Sequence, residues 1–219
     1  RPCFHDEYLQ TFNRANITLV DTRGRGVERI TERGVAVDGV EYELDCLIFA
    51  TGFEIGTDYC RRTGFELIGR DGLTLTDKWR DGVRTFHGVH VQGFPNCFVL
   101  SIAQSGFTVN FPYLLDVQAR HVAWVMASAL AHNVTELEAS VNAEAGWVDS
   151  VRQRSTVIME RRKSCTPGYY NQEGSADDTL RQSSFFFGAP TEYADILAAW
   201  RAAGAFDGLD IRNSQLIPQ

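Results

Sequence analysis

Asp45-Cys46-Leu47-Ile48-Phe49-Ala50-Thr51-Gly52-Phe53 is the stretch on which the fold reading turns. From Cys46 to Ala50 every residue is apolar, and a short unbroken apolar run marks a strand buried on both faces, as in a parallel sheet. Periodicity alone leaves a buried helix open, but the length of the run and the Thr51-Gly52 stop favour a strand. Gly52 lacks a Cβ, so the backbone there can turn sharply and approach another segment or a ligand closely. The plain alternative is a strand that ends in a glycine turn.

Upstream, Ile17 to Asp21 reads as a compact apolar strand. Val27 to Thr31 and Gly34 to Val37 alternate about a turn at Glu32-Arg33-Gly34, and Asp38-Gly39 is the dipeptide expected between paired strands, so a β-meander is predicted. Downstream, residues 53–98 read as Gly-rich loops, with alternation from Arg84 to Val91 and an apolar strand at Cys97 to Ile102. A helix opens at Pro112, with Leu115, Gln118, Val122, Val125, Ala129 and Leu130 at three- and four-residue steps. A second starts at the cap candidate Ser140, carries Val141, Ala145, Val148, Val151, Ser155 and Ile158 on one face, and ends in the basic cluster at Arg161, read as a solvated helix end. A third runs from the cap candidate Thr191 through Tyr193, Ile196, Leu197 and Trp200 to a stop at Gly204.

The composition, 44% hydrophobic and 22% charged over 219 residues, is that of a globular chain able to bury a core. A net charge of -7 argues against a nucleic-acid partner, which calls for clustered Lys and Arg. Cys3, Cys46, Cys60, Cys97 and Cys165 show no C-x-x-C spacing and are odd in number, so reduced thiols and a cytoplasmic location are expected. No apolar run approaches the roughly 20 residues of a membrane span, and none resembles a signal peptide. Arg1-Pro2 is not a translation start, which reads as a cut within a larger protein.

The 45–53 stretch resembles the D-x-L-I-x-A-T-G-[FY] motif of flavin-dependent monooxygenases that also bind NADPH. Arg1-Pro2, Tyr8 and Phe12-Asn13-Arg14 are similar to an R-P-x(5)-Y-x(3)-[FY]-N-R stretch of Baeyer-Villiger monooxygenases. In the same order, Gly93-Phe94-Pro95-Asn96 resembles that family's F-P-N-x-F segment, His121-Val122-Ala123-Trp124 its helix with [QH]-V-x-W, and Tyr193 to Gly208 its closing helix and tail. Two segments depart from the usual pattern. Cys165 stands where the cyclohexanone-type enzymes have a Trp, in a segment through Tyr170-Asn171 that is similar to a branch acting on larger or polycyclic ketones; Ala103 to Thr108 replaces a G-P-x-[GS]-P loop.

The resemblance implies an α/β fold that is a partial FAD/NAD(P)-binding two-domain flavoprotein fold, incomplete because the N-terminal Rossmann halves are missing. Residues 1–44 would end an NADP-binding domain with the β-meander, and 45–219 would form the C-terminal part of an FAD-binding domain. The implied reaction uses FAD, NADPH and O2 to convert a ketone to an ester or lactone through a flavin C4a-peroxide, with the rest of a parent chain as partner. By position in the motif Arg1 is the catalytic cation, since a permanently charged, planar guanidinium suits developing negative charge. The same resemblance places Thr51, Gly52, Gln104, Asn110, Leu114, Cys165, Tyr170 and Asn171 at the cofactors, and Phe111 and Leu114 at the substrate. An N- or S-oxidising flavin monooxygenase shares the A-T-G-F motif. A non-catalytic α/β module is the alternative from another class, because no G-x-G-x-x-G is present to seat a pyrophosphate and the isolated chain is expected to bind FAD weakly or not at all.

Weaker signals read as structure. His87-Gly88-Val89-His90 would point its two imidazoles to opposite faces of an extended segment, so no metal site is expected. Gly24-Arg25-Gly26 lacks the third glycine of a dinucleotide fingerprint and reads as a turn, and Ser105 lacks the G-x-S-x-G elbow.

Overall fold

The computed structural model describes residues 4–52, 59–165, 182–189 and 191–213, with backbone alone at 162 and 163. The chain divides into two compact units, Arg1–Glu54 and Ile55–Gln219.

In the first unit a short helix α1 (Tyr8–Thr11) precedes an antiparallel sheet of β1 (Arg29–Ile30), β2 (Gly34–Val37) and β3 (Val40–Glu43), in that order. Asp38 and Gly39 have φ of 49° and 76° and close the two-residue loop on the Val37–Val40 pair, the primed turn their residue types favour. Arg33 pairs with Glu41 at 2.7 Å and Glu43 at 2.8 Å, and Ala36 and Val37 are buried. The meander therefore forms as the turn chemistry indicates, and Gly24-Arg25-Gly26 lies in a turn closed by the Arg25 N–H donating to Thr22.

The two apolar runs behave differently. Ile17 to Asp21 and Cys46 to Ala50 belong to no ladder, and Ile48 and Phe49 are 80% and 70% exposed. The expected doubly buried strand is thus absent from this unit, because burial on both faces requires flanking strands and helices that no described residue of the unit supplies.

Among its described residues the second unit holds three long helices. In α4 (Phe111–Ala131) the buried face is Leu114, Gln118, His121, Val125 and Ala129, so the stripe sits slightly rotated from the expected one: Leu115 and Val122 are half-buried and Leu130 is exposed. The Asn110 side chain caps the helix by accepting from the Tyr113 N–H at 3.2 Å. In α5 (Val141–Lys163) Ser140 accepts from the Ala143 N–H, and Val148, Val151 and Ser155 are buried as expected, together with Glu144, Trp147 and Met159; Val141 faces outward. In α6 (Glu192–Ala203) Gly204 takes the left-handed φ of 70° that ends the helix. The expected Thr191 side-chain cap is not made. Glu192 instead accepts from the Ala189 N–H and pairs with Arg154.

Short elements complete the unit: α2 (Tyr59–Thr63), a 3₁₀ turn at Arg70–Gly72 and α3 (Leu75–Lys78), the last capped by Thr74. The expected strand at Cys97 to Ile102 reduces to single bridging contacts of Phe98 and Val99 with His90 and Val89. Two strands arise where none was expected: β4 (Val134–Ala139) pairs antiparallel with β5 (Leu209–Asn213). One core, of Leu114, Trp147, Val151, Phe186, Tyr193 and Leu197, binds the three helices to the 182–189 segment; a second, of Val125, Ala129, Val134, Leu137 and Phe206, seals α4 against β4.

Candidate functional site

At the loop that enters α4, apolar side chains gather at the surface. Phe107 is 44% exposed, Val109 76% and Phe111 43%, while Asn110 fixes the start of the helix. Phe107 meets Phe185 and Phe187 at ring-centroid distances of 5.3 and 5.2 Å. Such an edge of aromatic rings, partly wet and mounted on a helix start, can hold a flat apolar ligand and shed its water.

Among the residues expected at the site, the structure brings some together and separates others. Phe111 and Asn110 stand at this edge. Leu114 does not: it is 3% exposed and packs in the helix core, because it falls on the inward stripe of α4. Gln104 is fully buried with its amide wholly engaged inside the protein, so it offers no group to a ligand through that side chain. Cys165 is an exposed thiol at the end of α5, its Sγ 3.5 Å from the Arg161 carbonyl. Thr51 and Gly52 are exposed in the first unit, Gly52 with φ 84° and open space where a Cβ would stand. Arg1, Tyr170 and Asn171 lie outside the described residues.

Sequence reasoning missed a buried histidine cluster. His87 and Gly88 take φ of 58° and 70°, turning the chain between Phe86 and Val89, so 84–91 is not the extended segment expected. Both His87 and His90 are buried, and His90 Nε2 lies 3.1 Å from His121 Nε2 on α4. Trp200 packs on His121 at 5.2 Å and Trp147 on His87 at 5.0 Å. Burial, with the neighbouring His121 charge, lowers His87 to about 3; burial, with Arg201, lowers His121 to about 4; burial holds His90 well below its ordinary value. The one sequence signal was the three- and four-residue spacing that puts His121 in line with Gln118 and Val125. Among the described residues no group of three or more His, Cys, Asp or Glu is arranged to hold a metal ion, and no helix is long and apolar enough to cross a membrane.

A shallow hollow of about 370 Å³ lies elsewhere in the unit, between Leu67, Ile68, Arg70, Phe94 and Cys97. The Arg70 guanidinium there is engaged by Glu136 and Glu138, which leaves the hollow little polar chemistry.

No family model matches the chain. Individual proteins do. Neopentalenolactone D synthase of Streptomyces avermitilis is 47% identical over 97% of the chain, and Baeyer-Villiger monooxygenase 4 of a Dietzia species is 39% identical over 95%. An FAD-binding monooxygenase of Hypomyces subiculosus is 44% identical over 95% of the chain. Among solved structures, the polycyclic ketone monooxygenase of Thermothelomyces thermophila superposes with a TM-score of 0.81 at 35% identity over 97% of the chain, and a steroid monooxygenase bound to NADP with 0.77 at 26% identity over 95%. The chain spans 34–36% of the length of these three curated relatives, and 35% and 38% of the two solved chains. Similarity that runs through nearly the whole chain, and agrees between sequence and fold, carries the conclusion: this α/β chain resembles the C-terminal part of the Baeyer-Villiger monooxygenases.

Proposed function

We propose that the chain is part of an FAD- and NADPH-dependent monooxygenase that uses O2 to convert ketones to esters or lactones. The observation that carries this reading is the similarity to Baeyer-Villiger relatives over 95–97% of the chain. The matched proteins include one named for FAD binding and one solved with NADP. The aromatic edge at Phe107, Val109 and Phe111 fits the planar ring of a flavin or the body of a ketone, whereas no glycine loop for a pyrophosphate occurs among the described residues. The fit is therefore to one side of a site whose phosphate-binding half would come from other residues of the protein.

A bound flavin would supply electron transfer and oxygen activation. Phe107 and Phe111 exclude water from the ligand, which strengthens every electrostatic contact at the reacting atoms. Arg1, by its match to the family motif, is assigned to holding the negative charge that develops in the reaction, and Cys165, Tyr170 and Asn171 to the nicotinamide side. Residues 1–44 and 45–219 are assigned to NADP-binding and FAD-binding domains respectively. The odd number of cysteines and the lack of C-x-x-C spacing support a reducing, cytoplasmic setting.

The test is product analysis of the full-length protein with NADPH, O2 and a panel of cyclic ketones, amines and sulfides. Lactone or ester formation is expected; N-oxide or sulfoxide as the sole product would move the protein to the N- or S-oxidising enzymes.

A further inference from the structure

Gln104 sits in the left-handed region at φ 56°, which costs a non-glycine residue about 1 kcal/mol or more unless its surroundings hold it there. They do. Its Oε1 accepts from the Thr85 N–H at 2.8 Å and the Thr85 hydroxyl at 2.6 Å, and its Nε2 donates to the carbonyls of Val83 at 2.7 Å and Gln182 at 2.9 Å. Its backbone N–H donates to Ser184 at 2.7 Å, and its carbonyl accepts from Trp147 Nε1 at 3.0 Å. Each hydrogen-bonding position of the side chain is thus filled. One amide ties together three segments distant in sequence: 83–85, the loop 101–110, and 182–187. The Phe186 N–H donating to Ser105 at 2.8 Å continues the tie.

The 182–187 segment has two faces. Phe186 points inward, stacked on Trp147 at 4.7 Å with a 5° interplanar angle. Phe185 and Phe187 flank Phe107, on the loop that Gln104 anchors. The relative placement of these three rings depends on the link between the loop and the segment.

We propose that Gln104 is a positioning residue for the substrate, its buried amide locking the 101–110 loop to the 182–187 segment so that Phe107, Phe185 and Phe187 form one rigid wall against a bulky apolar ketone. The role rests on the monooxygenase reading above. Gln104 touches no ligand; it acts through the rings that it holds.

The experiment compares Gln104→Glu and Gln104→Ala in the full-length protein, with Leu137→Ala as a destabilised control from the other core. Glu keeps the size but sets a carboxylate oxygen against the Val83 and Gln182 carbonyls. Amide hydrogen exchange at positions 104 and 186 is expected to quicken about tenfold in both Gln104 variants and not in the control. The KM for a fused-ring ketone is expected to rise about tenfold with kcat nearly unchanged, while that for a small cyclic ketone stays put. Exchange at 104 and 186 that matches wild type, or losses equal for large and small ketones and reproduced by Leu137→Ala, overturns the proposal. Absence of ketone turnover by the wild type overturns the monooxygenase reading and the substrate role with it, whereas the exchange measurement still decides the lock.

Discussion

His90 and His121, 31 residues apart in the chain, bring their Nε2 atoms to 3.1 Å inside the protein. One ring must donate and the other accept, so the two cannot both carry a proton on Nε2, and burial of both rings opposes any added charge. The Nδ1 atoms of His87, His90 and His121 are buried without a partner, so no group is placed to receive an added proton's charge. Arg201 adds repulsion toward His121.

Acid should therefore weaken the fold through these rings. A histidine whose native pKa is lowered takes its proton only on unfolding, so its contribution is whole above about pH 6.5 and falls away as pH drops toward its native value. Each unit below that point costs up to about 1.4 kcal/mol per histidine. Glu41, Glu136 and Glu192, held below the usual 4.5 by hydrogen bonds from Thr31, Arg70 and Arg154 respectively, act at still lower pH. The melting temperature of the full-length protein should fall between about pH 6.5 and 5, and His121→Gln should flatten that slope. A profile that is level over this window would remove the histidines as the cause.

Glu144 joins α5 to the loop region through a buried carboxylate that takes Lys78 at 2.9 Å, Arg84 at 3.2 Å and the Gln92 N–H at 3.0 Å. Glu144→Gln leaves Lys78, whose side chain is 11% exposed, without its counter-charge. Urea denaturation should show a loss of about 3–5 kcal/mol, with Glu144→Leu plus Lys78→Met recovering much of it.

Gly106 and Gly88 are among the glycines required by close approach. A Cβ on Gly106 would stand 2.8 Å from Tyr193 Cβ, and one on Gly88, at φ +70°, 2.8 Å from the Gln104 carbonyl. Gly106→Ala and Gly88→Ala should each cost about 1–3 kcal/mol, read as a lowered melting temperature and altered Trp147 emission.

Leu114 and Phe111 lie three positions apart but should respond oppositely. Leu114→Ala empties a core position and should cost about 2–5 kcal/mol. Phe111→Ala, at a 43% exposed position, should change stability by less than about 0.5 kcal/mol yet raise the KM for ketones, as measured by paired melting and steady-state assays.

Local signals carried far in this chain. Asp38-Gly39 predicts its turn because only residues tolerant of positive φ fit it, and Pro112, Ser140 and Gly204 mark helix ends through backbone groups within a few residues. The face of α4 was legible only to within a slight rotation: Leu114 and Leu115 are both apolar, and the packing of α5 and α6 selected the first.

Long-range pairing was not legible. Val134 to Ala139 carries residues suited to a helix, and only the arrival of Leu209–Asn213 alongside makes it a strand. Cys46 to Ala50 shows the converse, since an apolar run is buried only where other segments cover it.

The order of apolar, glycine and proline residues by itself determined the meander, the three long helices and the likeness to Baeyer-Villiger monooxygenases, because those features depend on backbone preferences and motifs read along the chain. Tertiary structure alone decided that Gln104 is a buried tie and that three histidines share one interior, because each follows from atoms that meet only after segments tens of residues apart have packed together.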